Sequence, residues 1–170
     1  MAIENKELAE RALAERAIEC AKRSIGVKED TKPNWGKWVQ VYLKFVGILF
    51  PAPWCSAFVS YKIHQAAQEL GVKTIWPKQA YVQSVVNWAK KRPEGSIRTG
   101  PLPNSVFVKY DHTLKRYAHI GFIADVKWEG GQKKILTVEG NSNTDGSREG
   151  KEVVSKWRVW TKDHRCIRIV

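Results

Sequence analysis

The hydrophobic pattern of this chain changes period once, and that change restricts the fold more than any other feature. Up to the segment RPEGS, apolar residues recur at intervals of three and four. Beyond it they fall in short runs rich in Val, Ile, Trp and Thr, separated by turn residues. The first pattern predicts helices over residues 6–24, 35–46, 54–70 and 79–91. Gly26 and Gly71 end the first and third of these, and Pro51 and Pro53 punctuate the entry to the third. The second pattern predicts strands over 105–110, 118–126, 134–139, 153–160 and 166–170. Helices first and strands afterwards imply an α+β domain, a helical layer against an antiparallel sheet. At 170 residues, with no internal repeat and no low-complexity linker, residues 1–170 are expected to form one domain.

Charge narrows the partners. Twenty-nine Lys and Arg against 17 Asp and Glu give a net charge of +12, which favours an anionic partner such as a polyanionic wall, a membrane surface or nucleic acid. The basic residues are spread from Lys6 to Arg168, with no block resembling a nucleic-acid-binding arm, so no nucleic acid is expected as partner. No apolar run reaches the length of a membrane span. The opening MAIENKELAERALAER is charged throughout and lacks the apolar core of a signal peptide, so synthesis in the cytoplasm is expected.

Three cysteines, Cys20, Cys55 and Cys166, are an odd number without short paired spacing, which argues against a disulfide framework and a zinc knuckle. Cys55 follows two prolines and opens a helix. Unpaired backbone N–H groups and the helix dipole at such a site favour the thiolate, the nucleophilic form, and the same N–H groups suit an oxyanion. Simple burial is the competing reading for any free cysteine.

A nucleophilic thiol needs a base, and the chain offers four histidines. His64 lies nine residues along the cysteine's own helix, which at about 100° per residue turns it to the opposite face. His112 and His164 fall in polar turns, YDHTLKR and TKDHRC. His119 opens the strand HIGFIADV, where His119, Gly121, Ile123 and Asp125 would share one face and Ile120, Phe122, Ala124 and Val126 the other. On the next strand, KKILTVEGN, Glu139 and Asn141 point the same way if the strand runs on through Gly140. Either could accept the imidazole N–H and fix its tautomer, or simply end a strand and begin a turn.

Taken together, PWCSAFVSY, HIGFIADV and VEGNSN resemble the CHAP family, the cysteine- and histidine-dependent amidohydrolases/peptidases related to NlpC-type and papain-like enzymes. IGVKED and NWGKWVQVYLKFVGI upstream, and GSREGKEV downstream, extend the resemblance over most of the chain, roughly residues 25–158. It implies a papain-like fold with Cys55 as nucleophile, His119 as base, Glu139 orienting His119, and Asn141 as an accessory polar residue. The implied substrate is peptidoglycan, cut at the muramyl–L-alanine amide or at a peptide bond of the stem or cross-bridge. Trp54, Trp35 and Trp76 are candidate walls of a substrate cleft, with core packing as the competing reading. Release to the wall would then depend on a phage holin or a secretion system, and an immunity or inhibitor protein could restrain the enzyme in its producer.

The chain also departs from the family. Many members carry Pro-Gly-Asp before the strand leading to the histidine, where this chain has Pro103-Asn104-Ser105. Asp30 and Asn34 are too sparse for a calcium cage, so no metal and no cofactor are expected. Two other classes compete. A basic nucleic-acid-binding domain is motivated by the charge and eight tryptophans, and an inactive interaction domain is opposed by the intact Cys55, His119, Glu139 and Asn141 set.

Overall fold

The computed structural model of the protein describes residues 2–142 and 150–170, with side chains from Lys6 onward. Four helices precede the sheet: α1 (Ala2–Lys22), α2 (Lys37–Phe45), α3 (Cys55–Leu70) and α4 (Val82–Lys90). Six strands follow: β1 (Ile97–Arg98), β2 (Ser105–Asp111), β3 (Arg116–Glu129), β4 (Gln132–Ser142), β5 (Glu152–Val159) and β6 (His164–Ile167). The strands form one antiparallel sheet in the order β1-β6-β2-β3-β4-β5. The fold is α+β, helices in the first half and strands in the second. No helix among the described residues is long and apolar enough to cross a membrane.

α3 is the centre of the helical layer, and it is buried along most of its length. Its apolar side chains pack with Leu13, Ala17, Ile18 and Ala21 of α1, and with Val106, Val108, Ile120, Phe122 and Val138 on one face of the sheet. Burying Ser56 and Ser60 in this layer requires hydrogen-bond partners for their hydroxyls. Ser56 donates to the Gln79 carbonyl at 2.7 Å and Ser60 to the Pro77 carbonyl at 3.1 Å. These bonds hold the chain extended beside α3, so α4 begins at Val82 and not at residue 79 as its periodicity predicts. α2 starts two residues later than expected for a related reason. Gly36 lies in extended backbone, and the Asp30 carboxylate accepts the Lys37 N–H at 3.0 Å in place of a side-chain cap. A Cβ on Gly36 would lie 2.9 Å from Asp30, so only glycine permits that approach.

The opposite face of the sheet carries a smaller core of Phe107, Ile123, Ile135 and Cys166, with Leu102, Val126 and Trp160 packed against it. β3 and β4 run longer than expected because Gly130 and Gly131, both at positive φ, close a tight two-residue hairpin beyond the core. Alternation along β3 fails once. The register shifts between Ile123 and Asp125, so Ala124 is the extra residue, and Val126 packs with the smaller core instead of opposite it. β1 carried no sequence signal at two residues, and it exists through pairing with β6. The loop after α1 runs along the outer edge of β5, with Gly26 N–H donating to the Val153 carbonyl and Glu29 N–H to that of Lys151. That pairing fixes Glu29, whose carboxylate accepts the Trp54 indole N–H at 3.0 Å.

Candidate active site

Trp54 is the N-cap of α3 and Cys55 its first residue. Pro51 and Pro53 keep the approach extended, and the Trp54 indole is fully buried against Tyr42 and Phe58 while tethered to Glu29. The helix tip is thereby pinned from three sides. Cys55 N–H, in the first turn, has no carbonyl one turn earlier to bond within the helix.

His119 sits on β3, opposite Lys109 of β2, on the Phe107 face of the sheet, with its ring 5.9 Å from that of Phe107. β3 begins at Arg116, so His119 is the fourth residue of its strand and not the first. Its Nε2 hydrogen-bonds Glu139 Oε2 at 2.7 Å, and the Cys55 thiol lies near enough to act electrostatically on the ring. With Nε2 occupied by the carboxylate, Nδ1 is the nitrogen left for the thiol. The imidazole retains 23% of its surface, whereas Glu139 retains none. Glycine makes the juxtaposition sterically possible. A Cβ on Gly121 would lie 2.7 Å from the Phe107 ring and 2.8 Å from Glu139 Cγ.

A fully buried carboxylate must be compensated. Arg158 on β5 supplies a two-point contact, Nε to Oε1 at 2.5 Å and Nη2 to Oε2 at 2.7 Å. Thr137 Oγ1 donates to Oε1 at 2.5 Å and Ser142 Oγ to Oε2 at 3.1 Å. Burial alone would raise the carboxyl's pKa, but the hydrogen bonds from Arg158 and His119 hold it well below the usual carboxylate range. For His119 the balance has the opposite sign. Burial would lower the imidazole, but its hydrogen bonds and charge interactions with Cys55 and Glu139 raise it to about 9. At neutral pH the ring is therefore a cation between a thiol and a carboxylate.

No family of known proteins matches the chain, and neither does any curated protein. Among solved structures, the crystal structure of Ly7917 aligns with it at 13% identity and a TM-score of 0.49. The alignment covers 91% of this chain and 62% of that one, so this chain spans less than two thirds of its length. The chemistry of the site rests on its own residues.

The structure places Cys55 and Glu139 beside His119. Asn141 does not join them in the expected way. It lies at φ 53 where the β4–β5 register shifts between Glu139 and Ser142, so the anticipated alternation through Gly140 is broken. Among the described residues, Ser142 and not Asn141 bonds the carboxylate. Trp54 and Trp76 are not cleft walls. Trp54 is fully buried, and Trp76 is 2% exposed against Trp88. Trp35 is half-buried, with the Lys32 ammonium 5.7 Å from its ring centroid. Asn143 of VEGNSN, and residues 146–149 of GSREGKEV, lie outside the described residues.

His64 bonds the Trp76 carbonyl at 2.9 Å, away from the cysteine, and His112 is exposed beside Asp163. His164 is no surface turn residue but a buried one, stacked on Trp160. Sequence reasoning missed Arg158, Thr137 and Ser142. The signal available was the alternating segment KWRV on β5, whose Lys156 and Arg158 share a face. Only the pairing of β5 with β4 shows which acid that face meets. Among the described residues, no three His, Cys, Asp or Glu side chains are grouped to hold a metal ion.

Proposed function

We propose that this protein is a cysteine-dependent amidase or peptidase that cuts bacterial peptidoglycan. The observation that carries the reaction class is a thiol at the first residue of a helix, beside an imidazole that a buried carboxylate orients. The wall substrate rests on the sequence resemblance to the CHAP family, and the net charge of +12 suits a polyanionic wall.

The reaction is acyl transfer. The Cys55 sulfur, its proton held on His119, attacks the amide carbonyl carbon. The carbonyl oxygen takes up negative charge facing the helix tip, where the Cys55 backbone N–H is free to donate. His119 returns the proton to the departing nitrogen, the C–N bond breaks, and a thioester and a free amine result. Water then attacks the thioester carbonyl, His119 accepts its proton, and the acid leaves as the thiol is restored. Throughout, Glu139 fixes the ring tautomer and stabilises the imidazolium, as the third member of a triad does.

Purified protein digested with peptidoglycan and read by mass spectrometry tests the proposal. Release of L-alanine amino termini identifies an amidase, and cleavage inside the stem or cross-bridge a peptidase. Cys55→Ala is expected to reduce either product by at least about a thousandfold, as loss of a covalent nucleophile does. An alanine variant as active as its parent would refute the mechanism.

A further inference from the structure

The buried carboxylate that orients the histidine is itself held by a residue with no place in a three-residue account. We propose that Arg158 is a positioning residue of the site: its guanidinium fork keeps Glu139 ionised and aimed, so that His119 presents its free nitrogen to Cys55. This inference rests on the reading of the site as a thiol–imidazole pair, though not on the identity of the substrate.

Three observations support it. First, the contact is bidentate, with Nε on one carboxylate oxygen and Nη2 on the other, so it fixes the plane of the carboxylate as well as its charge. Second, Glu139 has no exposed surface, and His119 and Arg158 are its charged partners among the described residues. With His119 alone, each proton transfer from the ring during turnover would leave the carboxylate without a cation. Arg158, always protonated, keeps it charged while His119 gains and loses its proton. Third, the oxygen that accepts from His119 also accepts from Arg158 Nη2, whereas Thr137 and Arg158 Nε occupy the other. The carboxylate has no room to rotate without breaking a bond to Arg158. Other charged and titratable groups around this unit are Cys55 from α3, and Lys109, His164 and Lys156 from β2, β6 and β5, which share its face of the sheet.

The test is the rate at which Cys55 is alkylated by iodoacetamide, measured from pH 5 to 9 on the whole protein. It needs no wall substrate, so it stands even if peptidoglycan proves uncut. Cys20 and Cys166 are fully buried, with thiols pushed up by that burial, and mass mapping separates them from Cys55. Arg158→Met is expected to slow alkylation at pH 6 by about tenfold and to move the profile to higher pH. Tenfold at fixed pH is what a displacement of the profile by about one pH unit produces. Arg158→Lys, which keeps the charge and loses the fork, is expected to fall between. An Arg158→Met variant with native near-UV circular dichroism and the parent's profile would overturn the proposal. Should the Met variant fail to fold, the Lys variant decides: a profile identical to the parent's would mean the fork has no positioning role.

Discussion

At the scale of single residues, the site is a row of four partners: thiol, imidazolium, carboxylate, guanidinium. Each member sets the state of the next. The Glu139 carboxylate is ionised because Arg158 and His119 donate to it against the cost of burial, and His119 is held protonated to about pH 9 by Cys55 and Glu139. The pH dependence follows with a definite sign. The leaving amine needs a proton from His119, so kcat/KM should hold through neutrality and fall as pH rises past about 9, where the ring becomes neutral. A pH–rate profile checks this, and an alkaline limb centred near the ordinary histidine value would show that the Glu139 and Cys55 contacts do not raise the imidazole.

At the scale of elements, the tip of α3 must approach β4 closely, and glycine makes that approach possible. A Cβ on Gly140 would lie 2.8 Å from both Phe58 and the Trp54 ring, the two side chains that seat the helix tip. Neither can retreat: both are fully buried, and the Trp54 indole is tethered to Glu29. Gly140→Ala is therefore expected to cost about 1–3 kcal/mol of stability, the usual cost of overpacking. Because it pushes Cys55 away from His119, it should also lower kcat. Chemical denaturation and a single-substrate assay read the two effects separately. A variant of parental stability would mean that the strand yields to the helix.

The same scale shows where pattern reading stops. Alternation placed Asp125 and Asn141 on the faces of His119 and Glu139, and a one-residue bulge intervenes in each strand before those positions. A bulge shifts every later side chain to the other face, and it depends on the partner strand rather than on local composition. α4 likewise begins at Val82 because two serines of α3 hold the segment before it.

At the scale of the whole molecule, the sheet has two cores of unequal size, and the smaller one contains a titrating group. His164 is 3% exposed between Phe107 and Trp160, its Nδ1 accepts from Thr161, and its Nε2 has no partner among the described residues. Burial, with the charges of Lys109 and Arg158, depresses it to about 4. The unfolded chain takes up this proton near the ordinary value of about 6.5, so folding stability should decline as pH falls from there and reach its full loss below about 4. A shift of this size corresponds to roughly 3 kcal/mol. Urea denaturation between pH 7 and 4 measures the decline, and His164→Phe should flatten it. An unchanged slope in that variant would assign the acid sensitivity elsewhere.

The features legible from the order of residues alone are local. Periodicity identified four helices and five of six strands, and prolines and glycines marked the ends of α3. The position of Cys55 at a helix tip followed from those neighbours, because helix formation and capping depend on residues a few places apart. His119, and the pair Glu139 and Asn141, stood out as candidates because each lies on a strand whose period shows; the period left that pair open, and Glu139 was singled out by the family resemblance alone. Which strand lies beside which, and in what register, emerges only when the chain is folded. Arg158 meets Glu139 across 19 positions of sequence, and Trp54 meets Glu29 across 25. The side chains of strands find their partners across the sheet and not along the chain, so a residue's neighbours there are set by pairing energies that no local window contains.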